Sequence, residues 1–177
     1  MLELPLTPHL EGVLEKSKDL SLILKRNGVD IDLFYHCFLN DLSQSCKSIF
    51  KNVRVDPNEL LMESRRVLRK KRQNKTPTKK LKTDVRKFLV AAQTIAKQNF
   101  ELDYVSPEII LLTFFDELHC PKALRKMYPQ GDKNADSTVF AIITECSLAV
   151  KDFQPDSDDK VLELQTETPE DWIDMFN

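Results

Sequence analysis

The 177-residue sequence predicts an all-α protein built from an internal duplication. Two observations carry that reading. Thr83–Leu118, TDVRKFLVAAQTIAKQNFELDYVSPEIILLTFFDEL, alternates apolar and polar residues at helical steps, breaks at a short loop, then becomes apolar over most of its length. The same pattern occurs earlier at an offset of 76: Thr7 falls on Thr83, Val29 on Val105, Asp32 on Glu108, Phe38 on Phe114 and Leu42 on Leu118. Identities are few but sit at caps and core positions, as a duplicated helical unit requires. No segment alternates at the two-residue period of a strand.

In chain order, Thr7-Pro8 pairs a cap with a proline at the first helical position, where the missing N–H costs nothing. That helix is expected to run to about Arg26 and stop at Asn27-Gly28, burying Leu10, Val13, Leu14, Leu20, Ile23 and Leu24. Asp30 can cap a second helix that turns Leu33, Phe34, Cys37, Phe38 and Leu42 inward. A short third helix is expected at about Ser45–Lys51. A fourth starts at Asp56-Pro57-Asn58-Glu59, spaced as a capping box, and runs to about Arg72.

The second unit opens with Thr83 as a cap and Asp84 at the positive end of the helix dipole. Val85, Phe88, Leu89, Ala92, Ile95 and Ala96 share one face. Ser106-Pro107 starts the next helix, in which Ile109 to Leu112, Phe114, Phe115 and Leu118 mark a core element. A short helix at about Pro121–Met127 follows. Asp136 is then positioned to cap a last helix, Ser137–Val150, with Val139, Phe140, Ile142, Ile143, Cys146 and Val150 inward.

The pattern resembles the N-terminal, Clp-repeat domain of Clp/Hsp100 unfoldases. The segments that carry it are AAQTIAKQNFELDYVSPEIILLTFFDEL and IFKNVRVDPNELL, within a stretch from about Leu6 to Val150. The resemblance implies two pseudo-twofold-related four-helix repeats in residues 1–150, at about 5–72 and 83–150, joined by a basic linker at 73–82. It also implies a non-catalytic module that docks adaptors or protein substrates for an ATP-dependent chaperone or protease. The family's usual Glu-His pair is absent, replaced by Asp32-Leu33 and Glu108-Ile109. The loop Tyr128–Ala135 lacks the family's Gly-Val-Asp element, which leads us to expect a different packing of the final helix pair.

Some members of that family bind phosphorylated arginine through the threonine opening one helix and the acid opening the next. The matching pairs here are Thr7 with Asp32 and Thr83 with Glu108, and Thr83/Glu108 fits better because Asp32 is one methylene short. A helix N-terminus with a hydroxyl suits phosphate, and a carboxylate suits guanidinium. Simple helix capping accounts for all four residues as well, and is the preferred reading.

Composition narrows the chemistry. With glycine only at Gly12, Gly28 and Gly131, the sequence holds no G-x-x-x-x-G-K-[ST] phosphate loop. Cys37, Cys46, Cys120 and Cys146 lack zinc spacing and read as reduced core thiols of a cytoplasmic protein. His9, His36 and His119 lack metal spacing too, so no metal, cofactor or enzymatic activity is expected. No run is long and apolar enough for a membrane span, and MLELPLTPHLEG has no signal-peptide pattern.

Charge is segregated. Arg65–Lys82 carries ten Lys and Arg and no acid. Arg69, Lys70, Lys71, Arg72, Lys79 and Lys80 are the candidates for touching nucleic-acid phosphates, but without an interleaved aromatic the run reads first as a solvated connector. Residues 151–177 carry nine acids against Lys151 and Lys160 and read as a disordered tail. Its last residues mix Trp172, Ile173, Met175 and Phe176 with Glu170, Asp171 and Asp174, the chemistry of a peptide for a hydrophobic, basic-rimmed groove. They resemble the C-terminal peptides with which phage polymerases and transcription factors hold the sliding clamp. The alternative function is therefore a phage-type accessory factor tethered to a clamp, its basic run on DNA. TPEDWIDMF equally resembles the start of an unfoldase ATPase module, which would make the chain a fragment, or the tail folds back on the basic linker.

Overall fold

The computed structural model describes residues 4–71 and 73–152. Two successive sets of helices account for most of them: α1 (Pro8–Ile23), α2 (Ile31–Asn40), α3 (Gln44–Asn52) and α4 (Pro57–Arg69), then α5 (Thr83–Phe100), α6 (Pro107–Phe114), α7 (Lys122–Met127) and α8 (Lys133–Asp152). A 3-10 turn, Glu117–His119, separates α6 from α7. Among the described residues the only β-type pairing is two isolated parallel bridges.

The apolar helices α2 and α6 form the centre. Every α2 residue from Asp32 to Leu39 is buried, as are Pro107–Leu111, Thr113 and Phe114 of α6. Phe38 and Phe114, equivalent in the duplication, are each 0% exposed, and their ring centroids lie 5.3 Å apart. Phe114 also meets Phe34, Tyr35 and Phe88 at centroid distances of 5.9, 5.1 and 4.7 Å. Edge and tilted geometries set the positive ring edge against the negative face, favourable by ~0.5–1.5 kcal/mol per pair.

The two sets interlock. α4 packs on α2 and on α7, while α8 packs on α6 and on α3. The short third helix of each set thus serves the other set's core. The final pair therefore packs as its counterpart does, contrary to the expectation from the missing Gly-Val-Asp element. Ile142, Cys146 and Val150, spaced four apart and all buried, supply the inner stripe that makes this possible.

The chain entering each set is pinned by the other. Thr7 N donates to Val105 O (3.1 Å) and Val105 N to Pro5 O (2.9 Å); Lys82 N donates to Val29 O (2.9 Å) and Val29 N to Lys80 O (2.7 Å). These bonds show that Thr7 corresponds to Lys82, not to Thr83. The burial pattern agrees: Leu10 matches Val85, Val13 matches Phe88, Ser17 matches Ala92 and Ser21 matches Ala96, all buried and all at an offset of 75. From Lys25 and Glu101, which share left-handed φ values of 55° and 54°, the offset becomes 76. One extra residue at the end of α5 accounts for the change.

That shift corrects several sequence expectations. Lys82 occupies the N-cap position of α5 and Thr83 is its first helical residue, so Thr83 is not the cap. Its hydroxyl lies 3.3 Å from Arg86 Nη2, from which it accepts. Thr7 does occupy the α1 N-cap position, but its side chain makes no capping bond. Asp30 and Ser106 cap as expected, accepting from Leu33 N (2.9 Å) and Ile109 N (3.4 Å). Asp56 caps α4 through Asn58 N (2.9 Å), two residues on rather than three.

Other boundaries move as well. α1 ends at Ile23, where Lys25 takes the left-handed stop and Arg26 N reaches back to Ser21 O (2.7 Å). Ile23 is consequently 66% exposed. Gly28 serves a different purpose: at φ 140° it lies so close to the linker that a Cβ there would sit 2.6 Å from Lys80 O. α4 ends at Arg69, not Arg72. α6 ends at Phe114, and Asp116 caps the following turn through Leu118 N (3.1 Å), which leaves Leu118 86% exposed where Leu42 is 7%. Asp132, accepting from Ala135 N (2.9 Å), starts α8 before Asp136. Phe140 is 72% exposed because it precedes the inner residue Ile142 by two positions, about 200° around the helix.

The linker is exposed yet tied down. Asn74 N donates to Lys25 O (2.6 Å), Thr78 N to Arg26 O (3.0 Å), and Ser21 Oγ to Thr78 O (2.8 Å).

Truncating the central ring should unfold the interlock as a unit. Phe114→Ala is expected to cost about 3–5 kcal/mol in a urea melt monitored by circular dichroism, against about 1 kcal/mol for Phe114→Leu. A loss below about 1 kcal/mol for the alanine variant would show that the core closes without this ring.

Candidate functional site

α2, α5 and the segment leading into α7 enclose a cleft of about 640 Å³. Its walls include Asp32, Thr83, Lys87, Leu118, Lys122 and Arg125. Asp32 is buried and already committed: Oδ1 accepts from Lys122 N at the start of α7 (2.9 Å), and Oδ2 accepts from Lys71 Nζ (2.7 Å). Lys71 also bonds the Asp30 carboxylate. Burial alone would lower the Lys71 pKa, but the hydrogen bonds and charges of Asp30 and Asp32 outweigh it and raise the ammonium above its ordinary value. Asp84 reaches across from α5: Oδ2 accepts from Ile31 N at the start of α2 (3.0 Å), and Oδ1 from Val85 N (2.7 Å).

Five cationic side chains, Lys71, Lys82, Lys87, Lys122 and Arg125, line this cleft against Asp30, Asp32 and Asp84. The balance is positive. With Leu118 standing exposed at the wall, the arrangement suits a partly apolar, acidic segment.

Thr83 and Asp32, from different sets, share the cleft. Thr7 lies against Val105 in the segment leading to Glu108. Thr7 Oγ1 is buried and has no hydrogen-bond partner among the described residues. Glu108 is 8% exposed, and its carboxylate makes no hydrogen bond among them. Its charge is felt nearby: burial first, then Glu108, pushes Tyr104 and Cys146 each up to about 12.

The basic run is partly consumed by folding. Lys71 holds Asp30 and Asp32, Lys79 pairs with Asp19 (3.0 Å), and Lys82 Nζ donates to Asn27 Oδ1 (3.0 Å). Arg69, Lys70 and Lys80 are exposed. Arg72 lies outside the described residues, as do Trp172, Ile173, Met175 and Phe176. Sequence reasoning missed Lys71, Asp84 and Lys122 as partners of the α2 N-terminus. They sit 39, 53 and 90 residues away, beyond any local spacing signal.

Nucleophilic chemistry finds no support in the thiols. Cys37, Cys46 and Cys146 are buried, and burial pushes Cys37 up to about 12 and Cys120 up to about 11, so these two stay protonated near neutrality. Among the described residues no three His, Cys, Asp or Glu side chains converge as a metal site, and no helix is long and apolar enough to cross a membrane.

The Clp repeat (R) N-terminal domain family matches residues 5–127, and the chain belongs to that family. Among solved structures, the Hsp104 N-terminal domain from Candida albicans is similar at 18% identity and a TM-score of 0.58, over 80% of this chain and 89% of that one. A chain from a structural study of the ATPase ClpV, the TssB-TssC sheath and the accessory HsiE protein of type VI secretion is similar at 12% identity and a TM-score of 0.54, over 93% of this chain and 92% of that one. Comparison with curated protein sequences gave no match.

His36 supplies a pH handle on the fold. Its Nδ1 lies 3.0 Å from Ser64 Oγ, and burial first, then Arg65, lowers its pKa to about 4. The folded state therefore favours neutral imidazole. Stability from this group is complete above the unfolded value near 6.5 and is lost as pH falls from there through 4. Between pH 6.5 and 5 the wild type should lose about 2 kcal/mol, and His36→Gln should show little of that slope. Denaturant melts at the two pH values check this, and equal slopes would place the titration elsewhere.

Proposed function

We propose that the chain is a non-catalytic protein-binding module of the Clp/Hsp100 type, docking adaptor or substrate segments for an ATP-dependent chaperone or protease. The cleft between α2, α5 and α7 carries this reading. It draws its walls from both helix sets, bears an excess of cations, and exposes Leu118 beside them. Such a surface binds by shape and charge, and the residues around it hold no activated nucleophile or acid–base pair.

Lys87 and Arg125 are exposed and lie outside the Asp32–Lys71 bonding, so reversing them tests the cleft without opening the core. The full chain, immobilised in a cell extract, should retain a chaperone, adaptor or degradation substrate. Lys87→Glu with Arg125→Glu should retain at least several-fold less. Equal retention would move the docking surface elsewhere, and recovery of none of these classes would remove the module reading.

Within the same reading, a charged side chain of the docked segment is recognised at a helix-opening pair. Thr7 and Glu108 are the better candidates, because their side chains have hydrogen-bonding capacity unspent among the described residues. Thr83 and Asp32 spend theirs on Arg86, Lys71 and the α7 backbone. A guanidinium against Glu108 and a phosphate against the Thr7 hydroxyl at the start of α1 is the complementary arrangement. Titration with phosphoarginine should move the amide NMR signals near Thr7 and Glu108, with at least tenfold weaker binding in Glu108→Ala. No movement at these positions would leave the four residues as structural.

A further inference from the structure

α1 and α4 flank a second groove, of about 340 Å³, whose surface is mainly apolar at Leu20, Leu24 and Leu68 and cationic at Arg26, Arg65 and Arg69. No carboxylate lines it. His36 also borders it, and with a pKa near 4 that ring is neutral at physiological pH. Lys71 is the one residue shared with the cleft described above, so the two depressions are otherwise separate. An apolar floor without acids under a guanidinium rim selects a ligand that is apolar and acidic in alternation.

The chain contains such a segment. In residues 170–176, EDWIDMF, Glu170, Asp171 and Asp174 alternate with Trp172, Ile173, Met175 and Phe176. We propose that this C-terminal segment docks in the α1/α4 groove of its own chain. Trp172 occupies the leucine floor, and the acids face Arg65 and Arg69.

Size and reach agree with that occupant. A volume near the lower limit for ligand sites accommodates one or two large side chains and not a whole folded partner. α8 ends at Asp152, leaving a spacer of about 17 residues before Glu170. A coil of that length spans about 20–25 Å on average and about 55 Å when extended. A body of about 150 residues has a radius of gyration of about 15 Å, so an extended spacer reaches most of its surface. Tethering supplies an effective concentration of about 1 mM, at which a segment of only ~100 μM affinity is about nine-tenths docked. The inference does not depend on the cleft's role in partner binding.

Trp172 is the only tryptophan in the sequence, which makes the test direct. In the full chain its emission should be blue-shifted relative to a free peptide of residues 163–177, and acrylamide quenching about threefold weaker. Arg65→Glu with Arg69→Glu, both exposed positions, should return emission and quenching to the free-peptide values with helical circular dichroism unchanged. Adding Glu170→Lys, Asp171→Lys and Asp174→Lys to that variant should restore protection. A fully quenchable Trp172 in the wild type overturns the proposal. So does protection that survives the double reversal, since the segment then lies elsewhere on the body. Protection that depends on protein concentration places the segment in a neighbouring copy and overturns docking within one chain. Protection that appears only when a sliding clamp is added leaves the groove empty and favours the tethered accessory factor.

Discussion

The contact of Phe114 with Phe38, backed by Phe34, Tyr35 and Phe88, is the constraint on which the other features rest. Within their own sets α2 packs on α1 and α4, and α6 on α5 and α8; Phe114 joins the two sets through its contacts with Phe34, Tyr35 and Phe38. Once those two helices meet ring to ring, α3 and α7 have surface to cover only on the opposite set. The interlock combines this apolar contact with the backbone bonds that Thr7 and Val105, and Lys82 and Val29, make between the sets. Stability and the juxtaposition of the two sets are therefore one property.

That juxtaposition also shapes the cleft. The segment preceding α1 bonds to Val105, and the segment preceding α5 bonds to Val29. The start of α5 is thereby brought into one cleft with Asp32, and the start of α1 to the segment that precedes α6, although the sequence alone invites pairing within a set. The two ends then diverge chemically. At Asp32 the carboxylate is neutralised by Lys71 and an α7 amide, which makes the first end a structural ion pair in a cationic cleft. At Glu108 no such partner is present among the described residues, and its negative charge adds to burial in raising the pKa values of Tyr104 and Cys146. A duplicated scaffold has kept the geometry and differentiated the electrostatics.

The basic run shows how charge counted along a sequence differs from charge available in space. Lys71 is drawn into the core margin, Lys79 is paired and Lys82 is bonded, while Arg65 and Arg69 border the α1/α4 groove beside leucines. The run is consequently divided between structural anchors and arginines that line a groove. A uniform phosphate-binding stripe would require its cations to share one free surface.

Periodicity was sufficient to identify the all-α class, the duplication, most helices and the core identities, because apolar residues at three- and four-residue steps have one stable solution, burial of a helix face. It also located Asp30 and Ser106 as caps, since those bonds span three residues. The offset of 76 was legible for α2 and α6 but concealed the 75-residue register of α1 and α5, because matching threonines outweighed the buried positions Leu10/Val85 and Val13/Phe88. Helix ends at Ile23 and Phe114, and with them the exposure of Ile23 and Leu118, were decided by backbone bonds and turns that leave no periodic trace. Only the tertiary structure could decide that Thr83 shares a cleft with Asp32, and that Lys71 and Lys79 are held in ion pairs. Those outcomes depend on contacts 39 to 90 residues apart, where the packing of α4 on α2 and α7, and no local preference, sets the distance.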